Sequence, residues 1–124
     1  MPVRSLSSSV LRWPSPEAVL AAALKWAERL ASADPAVVAV GCFGSYARDD
    51  SGMGSDLDLI AIVAAEEQSK QRNGAWAVES LPTPTDLLVY TTDQWRELSA
   101  NSPRFYKTLE LEARWLLGAP PTVN

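Results

Sequence analysis

Three short apolar runs constrain what this chain can fold into more than any other feature. They are Val37-Val38-Ala39-Val40-Gly41-Cys42-Phe43, the stretch from Asp56 to Val63 that ends in Leu59-Ile60-Ala61-Ile62-Val63, and Asp86-Leu87-Leu88-Val89-Tyr90-Thr91. Each is short and apolar and, being too brief for a helix, reads as a buried strand. Segments of helical period lie between and around them. Ser15-Pro16-Glu17 is a helix start, with Ser15 as the N-cap, Pro16 at the first helical position and Glu17 at the positive end of the dipole. Val19, Leu20, Ala23, Leu24, Ala27, Leu30 and Ala31 then carry that helix to about Ser32. Ser45 to Arg48 reads as one helical turn, and the polar stretch from Ala64 to Trp76 as a short exposed helix or a connection. Thr92 reads as the cap of a short helix through Trp95 and Leu98. Ser102-Pro103 opens another, in which Phe105, Leu109, Ala113 and Leu116 recur at four, four and three until Gly118, Pro120 and Pro121 end it. This order predicts the α/β (α+β) class, a small mixed β-sheet with helices packed on one face.

The chain has 124 residues, enough for one domain. The domain is expected over 14–118, with an N-terminal tail over 1–13 and a C-terminal tail over 119–124. There are no histidines and a single cysteine, Cys42. That composition excludes histidine general bases, catalytic triads, His- or Cys-built zinc sites and internal disulfides. Any acid, base or metal chemistry must therefore run on carboxylates. Eleven Lys and Arg against fifteen Asp and Glu leave a net charge of -4, the wrong sign for nonspecific binding to nucleic acid. No stretch is apolar for the ~20 residues that cross a bilayer, and the first residues lack the apolar core of a secretory signal. The expectation is a cytoplasmic protein with no membrane partner and with Cys42 as a reduced core thiol. The five tryptophans read as packing residues, and the apolar surface they create makes a homodimer or another protein partner an expectation.

Polar residues at the ends of the three apolar runs supply the chemistry. Gly44-Ser45 follows the first run directly. A glycine there lets the backbone approach a ligand closely, and a serine opening a helical turn offers donors to phosphate oxygens, with Arg48 one turn on as a countercharge. Asp56 and Asp58 stand two apart at the head of the second run, so they share a face with backbones ~6.5–7 Å apart. Held close, they repel unless a cation sits between them. With only oxygen donors available the fitting cation is Mg²⁺, or Mn²⁺, and a pair of such ions is the arrangement that steers in-line phosphoryl displacement. Asp86 opens the third run, placed either to complete the metal shell or to take the acceptor's proton. Alone, a Gly-Ser step is a turn and an Asp-x-Asp a solvated strand end. Together they describe a nucleotide bridging a phosphate-binding loop and a carboxylate-bound metal.

Gly44-Ser45-Tyr46-Ala47-Arg48, followed with ten residues between Ser45 and Asp56 by Asp56-Leu57-Asp58-Leu59, resembles the signature of the nucleotidyltransferase superfamily that includes DNA polymerase beta. In particular it resembles the minimal nucleotidyltransferases of bacteria and archaea. The resemblance implies transfer of a nucleoside monophosphate, AMP from ATP, to an acceptor hydroxyl with loss of pyrophosphate. It assigns Gly44, Ser45 and Arg48 to nucleotide binding and Asp56, Asp58 and Asp86 to catalysis and to two Mg²⁺. It also implies an antitoxin role beside a helical HEPN-type toxin partner carrying the acceptor. The alternative is a non-catalytic antitoxin or partner-binding scaffold that keeps the fold. Two features depart from the family pattern. Asp49 stands where relatives often have glycine, with Asp50 behind it, and no flanking signature fixes Asp86.

Overall fold

The computed structural model describes residues 15–48, 56–64 and 76–121. Helix α1 spans Pro16–Ala33, and its start is built as the sequence predicts: the Ser15 side chain accepts from the Ala18 N–H at 3.1 Å, with Pro16 in the first turn. Its stripe of Val19, Ala23, Trp26, Ala27 and Leu30 is buried. At its other end the Asp34 N–H donates to the Leu30 carbonyl at 2.8 Å. The Asp34 side chain, only 2% exposed, accepts from Ala36 N at 3.1 Å and from Trp76 Nε1 at 3.3 Å. A carboxylate can remain buried there because donors meet it.

Strand β1 is Val37–Phe43, α2 is the single turn Ser45–Arg48, β2 is Leu57–Val63 and β3 is Thr85–Thr91. Helix α3 spans Thr92–Asn101, α4 spans Pro103–Glu112 and β4 spans Arg114–Gly118. The four strands form one sheet in the order β3-β2-β1-β4. Pairing is antiparallel between β1 and β2 and between β1 and β4, and parallel between β2 and β3. The mixed α/β class is therefore the one read from the sequence.

The layering differs from a sheet covered on one face. Leu57, Leu59, Ala61 and Val63 of β2, with Val40 and Cys42 of β1, pack under α1 together with Trp76 and Leu81. The alternate residues Ile60, Ile62 and Ala39 point the other way and pack against Trp95, Leu98 and Leu109 of α3 and α4. A strand buried on both faces reads as a continuous apolar run, and such a run does not say whether one layer or two covers it.

The second correction is at the C-terminus. The apolar spacing predicts helix through Leu116, but α4 stops at Glu112, where Ala113 takes an extended conformation (φ -65°, ψ 138°) and the chain returns as β4. Strand β1 otherwise lacks a partner on that side, and a central strand must satisfy its backbone groups. Trp115 then lies edge-on to Trp95, with ring centroids 5.8 Å apart. It also covers Gly41, where any Cβ would come within 2.7 Å of its ring. Beyond β4, the Trp95 indole N–H donates to the Pro121 carbonyl at 3.3 Å, which ties 119–121 back onto α3.

Helix α3 is capped one residue earlier than the sequence suggests: Thr91 and Gln94 form a reciprocal capping box at 2.9 and 3.1 Å. Four tryptophans pack as expected, with Trp26, Trp76 and Trp95 buried and Trp115 half-buried. Cys42 is fully buried, and burial pushes its thiol up from the ordinary value. The expected tail over 1–13, Trp13 within it, Asp49 and Asp50, and most of the polar stretch 64–76 lie outside the described residues. Among the described residues no helix is long and apolar enough to cross a membrane.

Candidate active site

The parallel register of β2 and β3 sets Asp58 directly opposite Asp86, and the antiparallel register of β1 and β2 sets Asp58 opposite Phe43. One carboxylate on the central strand therefore meets a second on the neighbouring strand and the Gly44-Ser45 turn on the other side. Asp58 alternates with Leu57 and Leu59, which are fully buried under α1, so its side chain is sent to the face shared with Ile60 and Ile62. It is half-buried, while Asp56 and Asp86 are exposed. Burial is the main reason its carboxyl is held above the usual carboxylate range. The negative charges of Asp86 and then Asp56 push the same way, and Arg48 acts against them.

Gly44 fits the turn for two reasons. Its φ of +77° lies in the left-handed region, and a Cβ there would fall 2.5 Å from Asp58 Oδ2. The backbone of the turn thus lies against the carboxylate with no room for a side chain. Ser45 opens α2 and is half-buried, and the Arg48 N–H closes the turn onto the Gly44 carbonyl at 3.0 Å. Phe43 meets Phe105 edge-on at 5.9 Å, which fastens the end of β1 to α4. The Arg48 side chain reaches Glu112 Oε1 at 3.1 Å. Glu112 is the residue the sequence reasoning missed. It lies 64 positions away from Arg48 on a helix whose end was misplaced, so no local pattern could reveal it.

The six residues singled out in the sequence, Gly44, Ser45, Arg48, Asp56, Asp58 and Asp86, are thus gathered at one end of the sheet. Among the described residues they do not make a preformed group of three metal ligands. The donor set nevertheless suits a hard cation. It is built from carboxylate oxygens, one of them half-buried and destabilised by its acidic neighbours, and Mg²⁺ or Mn²⁺ favours such oxygens.

A mixed sheet that ends in a Gly-Ser turn beside facing aspartates can bring a carboxylate-bound cation and phosphate oxygens together. Residues 24–116, well over half the chain, match the nucleotidyltransferase domain family. The chain belongs to that family. Solved structures of similar fold include a putative nucleotidyltransferase from Sulfolobus solfataricus, with TM-score 0.52 and 19% identity over 81% of this chain and 80% of that one. A toxin-antitoxin crystallised with AMP-PNP aligns with TM-score 0.51 and 17% identity, covering 77% of this chain and 73% of that one. A mutant of the toxin-antitoxin MntA-HpeT aligns with TM-score 0.52 and 15% identity, covering 77% and 72%. At these identities the likeness is one of fold. No curated protein matches the chain.

Proposed function

We propose that this nucleotidyltransferase moves a nucleoside monophosphate, AMP from ATP, onto a hydroxyl of a partner protein. The observation that carries the proposal is the register that sets Asp58 against Asp86 while the Gly44 backbone lies against Asp58. In this reading Gly44, Ser45 and Arg48 hold the triphosphate, with its phosphates competing against Glu112 for the Arg48 guanidinium. Asp56, Asp58 and Asp86 hold Mg²⁺, which supplies charge neutralisation at the phosphates. The acceptor oxygen attacks the α-phosphorus, the bond to the β-phosphate bridge breaks and pyrophosphate leaves. A carboxylate takes the hydroxyl proton, and Asp86, exposed at the strand end, is the one open to an incoming acceptor.

The acceptor is proposed to lie on another chain, and a HEPN-type helical toxin in the cytoplasm is the partner proposed. Two of the similar solved structures are toxin-antitoxin assemblies, one crystallised with AMP-PNP. The other carries Asp-to-Glu changes at two positions two apart, the spacing of Asp56 and Asp58 here. The test is incubation of the chain with α-labelled ATP, Mg²⁺ and the protein encoded beside it. Label should move to the partner, and Asp58→Ala should abolish transfer while circular dichroism stays unchanged.

A second reading is a partner-binding antitoxin or scaffold without transfer. It is favoured by the Arg48–Glu112 pair, in which a carboxylate already holds the guanidinium expected to meet phosphate. Partner binding that survives Asp58→Ala, with no label moved by the unaltered chain, would select it.

A further inference from the structure

We infer that a second copy of the chain pairs with β3 as an antiparallel strand, about a two-fold axis at Leu88, and sets Tyr90 of the partner subunit beside Asp86. A sheet edge is a row of unpaired backbone groups, and proteins blunt such edges with charge, proline, bulges or brevity. The two edges of this sheet differ in that respect. Strand β4 has five residues, slips register against β1 between Val40 and Gly41, opens on exposed Arg114 and closes on Gly118 at φ +66°. Pro120 and Pro121 follow it.

Strand β3 has fewer of these devices, an exposed charge at Asp86 and Pro84 directly before it. Its seven residues hold unbroken register with β2, contain no proline or glycine, and carry one charge, Asp86. Leu87, Leu88, Val89 and Tyr90 are each only half-buried, although their partners on β2, Leu59, Ile60, Ala61 and Ile62, are fully buried.

The direction of the free groups follows from one hydrogen bond. Leu57 N–H donates to the Pro84 carbonyl at 2.9 Å, so backbone groups of Asp86, Leu88 and Tyr90 turn toward β2. Those of Thr85, Leu87 and Val89 turn outward, and among the described residues β3 pairs with no strand on that side.

A second β3 matches this edge. In an antiparallel pair centred on Leu88, Leu87 faces Val89 of the partner subunit, outward position against outward position, and Thr85 faces Thr91 of the partner subunit, whose N–H stays with Gln94 in the capping box. This register overlaps all seven residues; shifting it by one residue opposes outward groups to inward ones, and larger shifts lose pairs. Asp86 then faces Tyr90 of the partner subunit, so no like charges are opposed. That pair and the Leu88 pair across the axis are of the close, non-hydrogen-bonded kind, with Cα atoms ~4.5 Å apart. The phenol lies on the same face as the site carboxylates, a hydroxyl donor to Asp86. The pairing is independent of the proposed reaction; only the meaning of the Tyr90 contact rests on Asp86 belonging to the transfer site.

Sedimentation of the full chain should give the mass of two chains. Leu88→Cys under mild oxidation should form a covalent dimer, since the two sulfurs meet across the axis, and Thr85→Cys should not, since it faces Thr91 instead. Val89→Pro removes an outward donor and keeps the β2 ladder, so it should lose the dimer while circular dichroism is retained. If Val89→Pro fails to fold, cross-linking and amide exchange still decide, because the Leu87 and Val89 amides should exchange more slowly as concentration rises. A chain that remains monomeric at every concentration overturns the proposal. A dimer that Leu88→Cys cannot lock also overturns it, because another surface then makes the contact. Slow exchange of the Leu87 and Val89 amides in a monomer overturns it too, because another segment of the chain then covers the edge.

Discussion

The two faces of the sheet are built from the same strands and do different things. Beneath α1 the packing is closed: Leu57, Leu59, Ala61 and Val63 of β2 and Val40 and Cys42 of β1 are fully buried. Beneath α3 and α4 it is thinner and aromatic, with Phe43, Phe105, Tyr106 and Trp115 only half-buried, and it ends at Asp58 and Asp86. Strand β2 takes part in both. Asp58 is the one residue of that strand left accessible, between two leucines with no exposure. Period-2 alternation lets a single strand supply a dry core on one side and a charged end on the other, so the carboxylate is fixed by packing it does not itself join.

The largest test of that division compares Asp58→Ala with its neighbour Leu59→Ala. Asp58→Ala should lower transfer by roughly 10³-fold or more, about 4 kcal/mol in the barrier, while thermal melting shows the fold intact. Leu59→Ala should do the reverse. Deleting a fully buried leucine under α1 costs about 3 kcal/mol of stability, while the folded fraction keeps its turnover per active molecule. Loss of turnover from Leu59→Ala at temperatures where it is fully folded would show that the two faces are coupled.

Gly44→Ala should sharpen the comparison at the point where the turn touches the carboxylate. The left-handed backbone costs about 1–2 kcal/mol for alanine, and the added methyl must displace the Asp58 carboxylate from which it would stand 2.5 Å away. Transfer and melting temperature should fall together, unlike either change on β2. A variant that melts lower with full transfer would separate Gly44 from the site.

How much of this was legible in the sequence follows the same division. The three strands and the first helix were readable because period, length and caps act locally: β1 was read over 37–43, where the structure has it, and Ser15 caps α1. Asp58 was readable because strand alternation sets it apart from the buried leucines on either side, while Asp56 stands just before β2. The second helical layer, β4 and Glu112 were not, since each depends on contacts distant in sequence. The apolar positions from Phe105 to Leu116 satisfy a helix pattern until β1's need for a partner overrides it. Nothing local marks Asp34 as a buried acceptor, because its partner Trp76 lies 42 positions on.

The smallest expected effect is the dependence of stability on pH at the thin face, measured with chelator present so that no metal compensates the charge. Burial, then Asp86 and Asp56, hold the Asp58 carboxyl above its ordinary value, against the pull of Arg48. The native chain therefore keeps a proton that the unfolded chain has already released. Between the ordinary value and the raised one, the native state binds more protons, so stability falls as pH rises through that window and stays lowered above it. Asp58→Asn removes the ionisation and keeps the shape, so at neutral pH the variant should melt slightly above the unaltered chain. The gap should close below the usual carboxylate value, where both side chains are neutral. Added Mg²⁺ should raise the melting temperature of the unaltered chain more than that of Asp58→Asn, as expected if the cation relieves the same charge. If Asp58→Asn melts at or below the unaltered chain at neutral pH, Asp58 is not a stability cost of the site, and the thin face is as well packed for folding as the thick one.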